Sequence, residues 1–358
     1  MKGKTMVNLL DQMDRRQSLD PRDMIGLVET LPAQFMEGER IARTVSLPPM
    51  ENVHHIVICG MGGSAIGGDF LKAYGAKLAT ASIDVIRNYD LPNYVDSNTL
   101  VIASSYSGDT EETLSAYRQA KERGAQVLAI TTGGQLEALC REANDPMILV
   151  PGGFPPRAAL GYSFMPLLVT LERLGGIPDQ SKPIQALYQT LKQCAGKNAF
   201  AVPTQSNAAK QFAFRLKDVL PVIYAGQDAF EPVATRWRCQ LNENAKVFAH
   251  NMVVPEMNHN EILGWAEPKP LLNRFYAIYL LDHEYHVQTR KRFQVMKPII
   301  ESVAAAVSEV ESVGDGLLSR MFSLVYFGDF VSVYLAYLYG QDPTPIPAID
   351  ELKSKLAK

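Results

Sequence analysis

Short runs with a continuous apolar stretch, ending in glycine or hydroxyl residues, recur through the first half of the chain. His54 to Gly60 is one, Thr99 to Ser107 a second and Gln126 to Gly134 a third. Runs of this length, bounded by turn residues, predict strands buried on both faces of a parallel sheet. Between them, 61–76, 108–124 and 135–143 turn helical, and 108–124 is amphipathic and ends in Gly124. Residues 81–89 and 146–153 predict two further strands, and 163–175 a buried helix.

The same logic restarts later. Residues 177–183 carry turn residues and mark the start of a linker, and 184–217 is helical and more polar. Leu220 to Gly226 is again strand then glycine, with a helix over 231–246. Strands follow at 247–253 and 274–282, then a long helix over about 286–312 and another over 317–339. The first 50 residues predict helices and connectors broken by Pro21, Pro32, Pro48 and Pro49, with Leu9, Met13 and Leu19 as a small apolar stripe. Strand–helix alternation in both halves predicts an α/β fold with two doubly wound parallel sheets. The domains expected are a helical extension over 1–50, a first domain over 51–180 and a second over 181–358.

Composition narrows the classes. A length of 358 residues suits two domains at about 150 residues each. Lys plus Arg total 35 against 38 Asp plus Glu, for a net charge of −3. That argues against the basic footprint of a nucleic-acid binder but leaves room for a local anion site. Four cysteines, at 59, 140, 194 and 239, form no C-x-x-C pair, so zinc knuckles, redox dithiols and disulfide frameworks are unsupported. The expectation is buried or half-buried thiols in a reducing compartment. The first residues lack the apolar run of about 7–15 positions of a secretory signal, and no run of about 18 apolar residues occurs. A soluble, cytoplasmic protein without membrane contact is expected.

Two loops carry the first candidate chemistry. Gly60-Met61-Gly62-Gly63-Ser64-Ala65-Ile66-Gly67-Gly68 follows a predicted strand and opens a predicted helix, where backbone N–H groups and the helix dipole suit an anion. Gly60-x-Gly62-x-x-Ala65 also fits a dinucleotide fingerprint, which asks for an acidic residue about 20 positions on. Asp84 falls inside the next strand and Arg87-Asn88-Tyr89 fill its end. That leaves open an NADP site using Arg87, or a tight turn with no ligand. Ser104-Ser105-Tyr106-Ser107-Gly108-Asp109-Thr110 follows the next strand, at the strand ends where parallel sheets bind ligands. Three hydroxyls, Ser105, Ser107 and Thr110, arrive together there, which suits a phosphate monoester. The plain alternative is a helix cap from Asp109 or Thr110.

Taken alone, Glu243 is a solvated glutamate at a helix end and His259 a surface loop histidine. Asp282-His283-Glu284-Tyr285-His286 superficially suggests a metal, but its H-E-x-H spacing is not the i, i+4 pair of a zincin helix.

Ser105-x-Ser107-Gly108-x-Thr110-x-Glu112-Thr113 resembles the signature of sugar isomerase (SIS) domains, which bind phosphosugars. Gly62 to Asp69 is similar to the loop of the bifunctional phosphoglucose/phosphomannose isomerase family. The likeness continues through Pro155-Pro156-Arg157-Ala158-Ala159-Leu160-Gly161-Tyr162 and covers about 54–356. It implies two SIS subdomains and a reversible interconversion of glucose 6-phosphate and mannose 6-phosphate with fructose 6-phosphate, without metal or cofactor. The phosphate falls to Gly62, Gly63, Ser64, Ser105, Ser107 and Thr110. Glu243, in Asn242-Glu243-Asn244-Ala245-Lys246, becomes the proton-transfer base, and His259, in Asn258-His259-Asn260-Glu261, the ring-opening acid–base group. Arg157 would stabilise the enediolate, Thr344 would line the site, and a C-terminal lysine would act at the ring oxygen. Lys353 fits that lysine best, with Lys355 and Lys358 as neighbours. Relatives complete their site with a histidine from the partner subunit, which implies a homodimer with the active site at the subunit interface. The competing readings are a non-catalytic phosphosugar sensor and a dinucleotide-dependent dehydrogenase.

Overall fold

The computed structural model describes residues 9–49 and 52–356. They form two compact units. One gathers Thr30–Gln189 with Asp315–Ser319, and the other gathers the described residues up to Glu29, Thr190–Gly314 and 320–356.

The described residues begin with a 3-10 turn at Leu9–Asp11 and helices α1 (Met13–Leu19), α2 (Met24–Glu29) and α3 (Leu31–Thr44). The stripe expected from Leu9, Met13 and Leu19 does not form, because Met13 is exposed and the buried positions are Leu10, Met24, Ile25 and Val28. Asp20 accounts for the change of face. Its carboxylate accepts the N–H groups of Met24 and Ile25 at 2.8 and 2.9 Å and the Tyr337 hydroxyl at 2.7 Å. The start of α2 is thereby pinned and its apolar side buried.

The first unit is built on β1 (His55–Cys59), β2 (Ser82–Ile86), β3 (Thr99–Ser105), β4 (Gln126–Thr131) and β5 (Met147–Leu149). All pairs are parallel, in the order β2-β1-β3-β4-β5. The crossovers are helices α4 (Gly62–Gly75), α5 (Glu111–Glu122) and α6 (Gly134–Ala143), and α7 (Leu160–Arg173) follows β5. Val57, Cys59, Val101, Ala103, Val127 and Ala129 on one face of the sheet share a core with Leu114, Tyr117, Leu136 and Cys140 of α5 and α6. Burial pushes the Cys59 and Cys140 thiols up to about 12 and about 11, so both stay protonated. The other face carries α4, which in turn carries α7. A Cβ at Gly68 would lie 3.0 Å from Ile58 Cγ2, and one at Gly67 would lie 2.6 Å from the Ser163 carbonyl oxygen.

Helix α8 (Ser181–Asn198) starts within the segment expected to open a linker. Asp179 Oδ1 accepts both the N–H and the hydroxyl of Ser181, at 3.2 and 2.6 Å, and so turns the chain into the helix. Helix α9 (Ala208–Arg215) precedes the second sheet. That sheet comprises β6 (Leu220–Gly226), β7 (His250–Val254), β8 (Phe275–Leu281) and β9 (Ala306–Glu311), all parallel, in the order β7-β6-β8-β9. Its helices are α10 (Gln227–Glu243), the short α11 (Lys269–Leu272), α12 (Val287–Glu301), α13 (Gly316–Leu338) and α14 (Pro347–Leu356). The long helix expected over 286–312 is therefore two elements. Helix α12 stops at Glu301, and Ala306 to Glu311 pair with Tyr276 to Leu281 as an edge strand. Helix α13 is apolar and long enough to cross a membrane, yet 94% of its most apolar window is buried in protein, so it is a core helix.

Both sheets therefore answer the doubly wound expectation. The contact of α3 with α7 tests how tightly the first unit is packed. A Cβ at Gly161 would lie 2.5 Å from Gln34 Cβ and 2.7 Å from the Phe35 amide nitrogen. Backbone cannot step aside cheaply, so Gly161→Ala should cost about 1–3 kcal/mol. A lowered urea midpoint at unchanged slope would show it, and an unchanged midpoint would contradict it.

Candidate functional site

Ligands of open α/β sheets bind beyond the carboxyl ends of the strands, where the strand order reverses. In the first sheet that point lies between β1 and β3. The glycine loop leaves β1 there and the hydroxyl loop leaves β3. Ser64, buried in the first turn of α4, ties them together: its Oγ accepts the Tyr106 N–H at 3.0 Å. Ser105 is fully buried, donates to Thr110 Oγ1 at 2.9 Å and accepts the Gly108 N–H at 3.1 Å. Ser107 is exposed, and its Oγ accepts the Asp109 N–H at 3.3 Å. Thr110 is the N-cap residue of α5 but makes no side-chain cap bond. Gly108 lies at φ +79°, and a Cβ there would sit 1.8 Å from the Gly133 carbonyl oxygen, so the β3 and β4 loops interlock through bare backbone.

Ser64, Ser105, Ser107 and Thr110 are thus brought together with Gly62 and Gly63 at the amino ends of α4 and α5. Both helix ends favour negative charge. Arg157 joins the same region. It is buried in the 3-10 turn Pro156–Ala158, and the Pro156 carbonyl oxygen lies 2.5 Å from where a Gly63 Cβ would be. Only glycine at 63 lets the arginine turn come so near. Tyr106 was not singled out from the sequence. Its hydroxyl donates to the Pro151 carbonyl at 2.8 Å and accepts the Phe154 N–H at 3.2 Å, which braces the hydroxyl loop against the segment leading to Arg157. Its only sequence signal is its place between serines.

The residues considered for a dinucleotide are engaged otherwise. Asp84 accepts Lys72 Nζ at 2.9 Å and the Tyr94 hydroxyl at 2.7 Å, and Arg87 pairs with Asp69.

The other unit carries the remaining candidates. Glu243 is the last residue of α10 and is half-buried. Its neighbours are fixed: Asn242 Oδ1 accepts the Ala249 N–H at 3.1 Å, and buried Asn244 donates to Ser332 Oγ at 3.0 Å. Lys246 folds back in the left-handed region, at φ +58°, and donates to the carbonyls of Glu243 at 2.6 Å and Pro343 at 3.0 Å. Thr344, next to that carbonyl, is buried and donates its N–H to Asp342 at 2.8 Å. Lys353 lies on α14, a helix with no buried residue, and Lys355 pairs with Glu351 at 2.6 Å. Lys358 is outside the described residues.

His259 ends the 3-10 turn Glu256–His259 and is exposed. Its imidazole makes no side-chain hydrogen bond among the described residues. Glu261, two residues on, is tightly held. It accepts the Tyr224 hydroxyl at 2.6 Å and pairs with His250 Nε2 at 2.9 Å, and Trp265 Nε1 donates to the Tyr224 hydroxyl at 2.9 Å. Burial pushes the Glu261 carboxyl up, but the bonds from His250 and Tyr224 outweigh it and hold the group below the ordinary carboxylate value.

The second sheet reverses its order between β6 and β8, where the equivalent crevice would open. Tyr285 fills it. Its hydroxyl accepts the Gly226 N–H at 2.9 Å, and its ring lies 2.6 Å from where a Gly226 Cβ would be. Beside it, Asp282 and Glu284 both pair with Arg320, at 2.8 Å for Asp282, and His286 caps α12 by accepting the Gln288 N–H at 3.1 Å. Asp282, Glu284 and His286 thus have structural partners.

Residues 50–152 match the SIS domain family, and residues 205–356 match the bacterial phospho-glucose isomerase C-terminal SIS domain family. A bifunctional phosphoglucose/phosphomannose isomerase of Caldicellulosiruptor bescii is 44% identical, over 94% of this chain and 99% of its own. The chain belongs to the bifunctional phosphoglucose/phosphomannose isomerase family. A second protein of that name, from Aquifex aeolicus, is 35% identical over 93% of this chain and 98% of its own. Among solved structures, a hypothetical protein of Thermus thermophilus superimposes with a TM-score of 0.74 at 15% identity, covering 99% of this chain and 95% of its own. That likeness concerns the fold, and it agrees with two SIS-type parallel sheets in this family.

The Glu261 cluster sets a pH dependence. A carboxyl held below its ordinary value contributes stability that is fully present above the unfolded value and is lost as pH falls through the folded one. Glu261→Gln should therefore destabilise the protein at about pH 7, and the gap from wild type should shrink at about pH 3.5. Urea midpoints of both proteins at the two pH values measure this. A gap that widens in acid would reverse the assigned sign.

Proposed function

We propose that the chain is a soluble, cytoplasmic isomerase that interconverts glucose 6-phosphate and mannose 6-phosphate with fructose 6-phosphate. The observation carrying this is its 44% identity, over nearly the whole length of both chains, to a protein of that dual name. The hydroxyl-and-amide cradle of the first unit supports it, since a phosphate monoester takes several charge-assisted hydrogen bonds from such donors. Ser64, Ser105, Ser107 and Thr110 hold the phosphate with the amides of Gly62 and Gly63.

The reaction relocates one proton between C1 and C2 and another between the two oxygens. It is redox-neutral overall and calls for acid–base groups and an oxyanion stabiliser, not an electron carrier. His259, aided by Lys353, opens the sugar ring by moving a proton between the ring oxygen and the anomeric hydroxyl. Glu243 then takes the C2 proton, the electrons form the C1–C2 double bond of a cis-enediol, and the same carboxyl returns the proton to C1. Arg157 offsets the charge that develops on oxygen, and Thr344 lines the sugar end. Both C2 epimers present their proton to one base if the bound chain rotates about C2–C3.

An exposed His259 without a side-chain hydrogen bond among the described residues suits donation to a second copy of the chain. We therefore include a homodimer with a shared active site in the proposal.

Glu243→Gln is the direct test. It should lose about 10²–10⁴-fold in kcat on both aldose phosphates, the range for a positioned general base, while fructose 6-phosphate binding measured by calorimetry stays close to wild type. Turnover near wild type on both aldoses would remove Glu243 from the mechanism. A wild-type protein that binds sugar phosphate but never turns it over would instead be a sensor.

A further inference from the structure

Helix α10 is bolted to α13 by a ladder of buried polar groups that nothing in the preceding mechanism uses. Arg236, Gln240 and Asn244 occupy one face at successive i, i+4 positions and are at most 4% exposed. Arg236 Nε and Nη2 donate to Asp329 Oδ1 and Oδ2 at 3.0 and 2.7 Å, and Gln240 Nε2 donates to Asp329 Oδ1 at 3.0 Å. Asn244 donates to Ser332 Oγ at 3.0 Å, and that hydroxyl donates to the Asp329 carbonyl at 2.7 Å. Between the rungs, Trp237 Nε1 donates to the Leu324 carbonyl at 2.9 Å, and its ring lies 2.5 Å from where a Gly328 Cβ would be.

Helix ends normally fray, because their last carbonyls lack partners. The end of α10 does not have that freedom. Asn244 pins it from below, and Lys246 binds the Glu243 carbonyl from beyond the end. Glu243 lies one residue before the last rung, about 100° around the helix from it. Its backbone position is thus set by the ladder, although its carboxylate is not a rung.

The ladder is an uneconomical way to gain stability alone. A buried ion pair seldom outperforms apolar side chains of similar volume, because desolvation consumes the attraction. Asp329 moreover puts a carboxylate in the middle of a largely apolar core helix. Burial pushes its carboxyl up, and Arg236 works against that. Directional bonds do supply what apolar contacts lack, a single rotational and axial setting of one helix against another.

We infer that Arg236 and Gln240 on α10 and Asn244 at its C-terminal cap, with Asp329 and Ser332 on α13, are positioning residues that aim the Glu243 carboxylate at the substrate C1–C2 bond. The inference rests on Glu243 as the base. Small misplacements of a reacting group cost large factors in rate while leaving binding by remote groups intact.

Asp329→Asn, Ser332→Ala and the apolar pair Arg236→Met with Asp329→Leu form the test, with kcat, KM and thermal midpoint measured on both aldose phosphates. Asp329→Asn should lower kcat about tenfold or more and Ser332→Ala about threefold, with KM within about threefold of wild type for both. The apolar pair should regain the wild-type midpoint but keep a kcat depressed about tenfold. Should Asp329→Asn fail to fold, Ser332→Ala decides. Wild-type kcat in either folded single variant, or kcat recovering together with the midpoint in the apolar pair, overturns the inference. Glu243→Gln run alongside separates the two levels. If it keeps turnover, the base itself is wrong; if it is inactive while the ladder variants are normal, only the positioning role falls.

Discussion

Helix α4 lies so close to its neighbours on both sides that a Cβ at Gly67 would strike backbone at 2.6 Å and one at Gly68 would press on the sheet at 3.0 Å. Gly68 faces Ile58 of the sheet and Gly67 faces the Ser163 carbonyl of α7. This double contact sets the depth at which α4 sits, and so where its amino end and the buried Ser64 hydroxyl meet the hydroxyl loop after β3. The glycine-rich stretch is therefore two devices in one. Gly62 supplies a positive φ of +49° and Gly63 leaves room for the Arg157 turn, while Gly67 and Gly68 are packing positions. A sequence shows one glycine-rich run and cannot separate these demands, because both are met by the same missing Cβ.

The two sheets share a strand order but not a use for it. In the first, the reversal between β1 and β3 is left to short hydroxyl side chains and amides. In the second, Tyr285 occupies the reversal and satisfies the Gly226 N–H itself. A repeated topology supplies the place for a ligand, and side-chain volume decides whether the place is open. The net charge of −3 fits this division. The two loops present neutral donors and helix ends, Arg157 is the buried cation of that region, and Arg87 at the end of β2 is already paired with Asp69.

Much of this was legible from apolar runs and turn residues. Strands β1, β3, β4, β6 and β8 and the two loops of the first sheet follow from them, because a strand buried on both faces has little choice of composition, while β2, β5 and β7, partly exposed, follow from short β-rich segments between turn residues. The failures have local causes. Ala306 to Glu311 is a partly exposed edge strand that follows α12 with no glycine or proline between them, so periodicity continues the helix through it. Met13 was placed inside because α1 alone has the right spacing, whereas Asp20 anchors α2 and buries that side instead. Partnerships such as Arg236 with Asp329, 93 positions apart, leave no trace in spacing at all. The proposed site roles came from family resemblance, since a helix-end glutamate and a loop histidine carry no signal by themselves.

The two proposed proton carriers of the second unit receive contrasting support. Glu243 ends a long helix whose every turn from Arg236 onward is bound to α13, so its backbone has one setting. His259 ends a single 3-10 turn, yet the backbone on either side is also held. Met257 before it is fully buried, and Glu261 after it is bound by Tyr224 and His250. The imidazole itself is exposed. A base that must meet a particular C–H bond gains from a rigid mount, because its rate depends on short distance and alignment. A ring-opening group that serves oxygens accessible in several sugar conformations tolerates a freer side chain. The mechanical difference between a bolted helix end and an anchored turn with a free ring thus matches the different geometric demands of the two steps assigned to them.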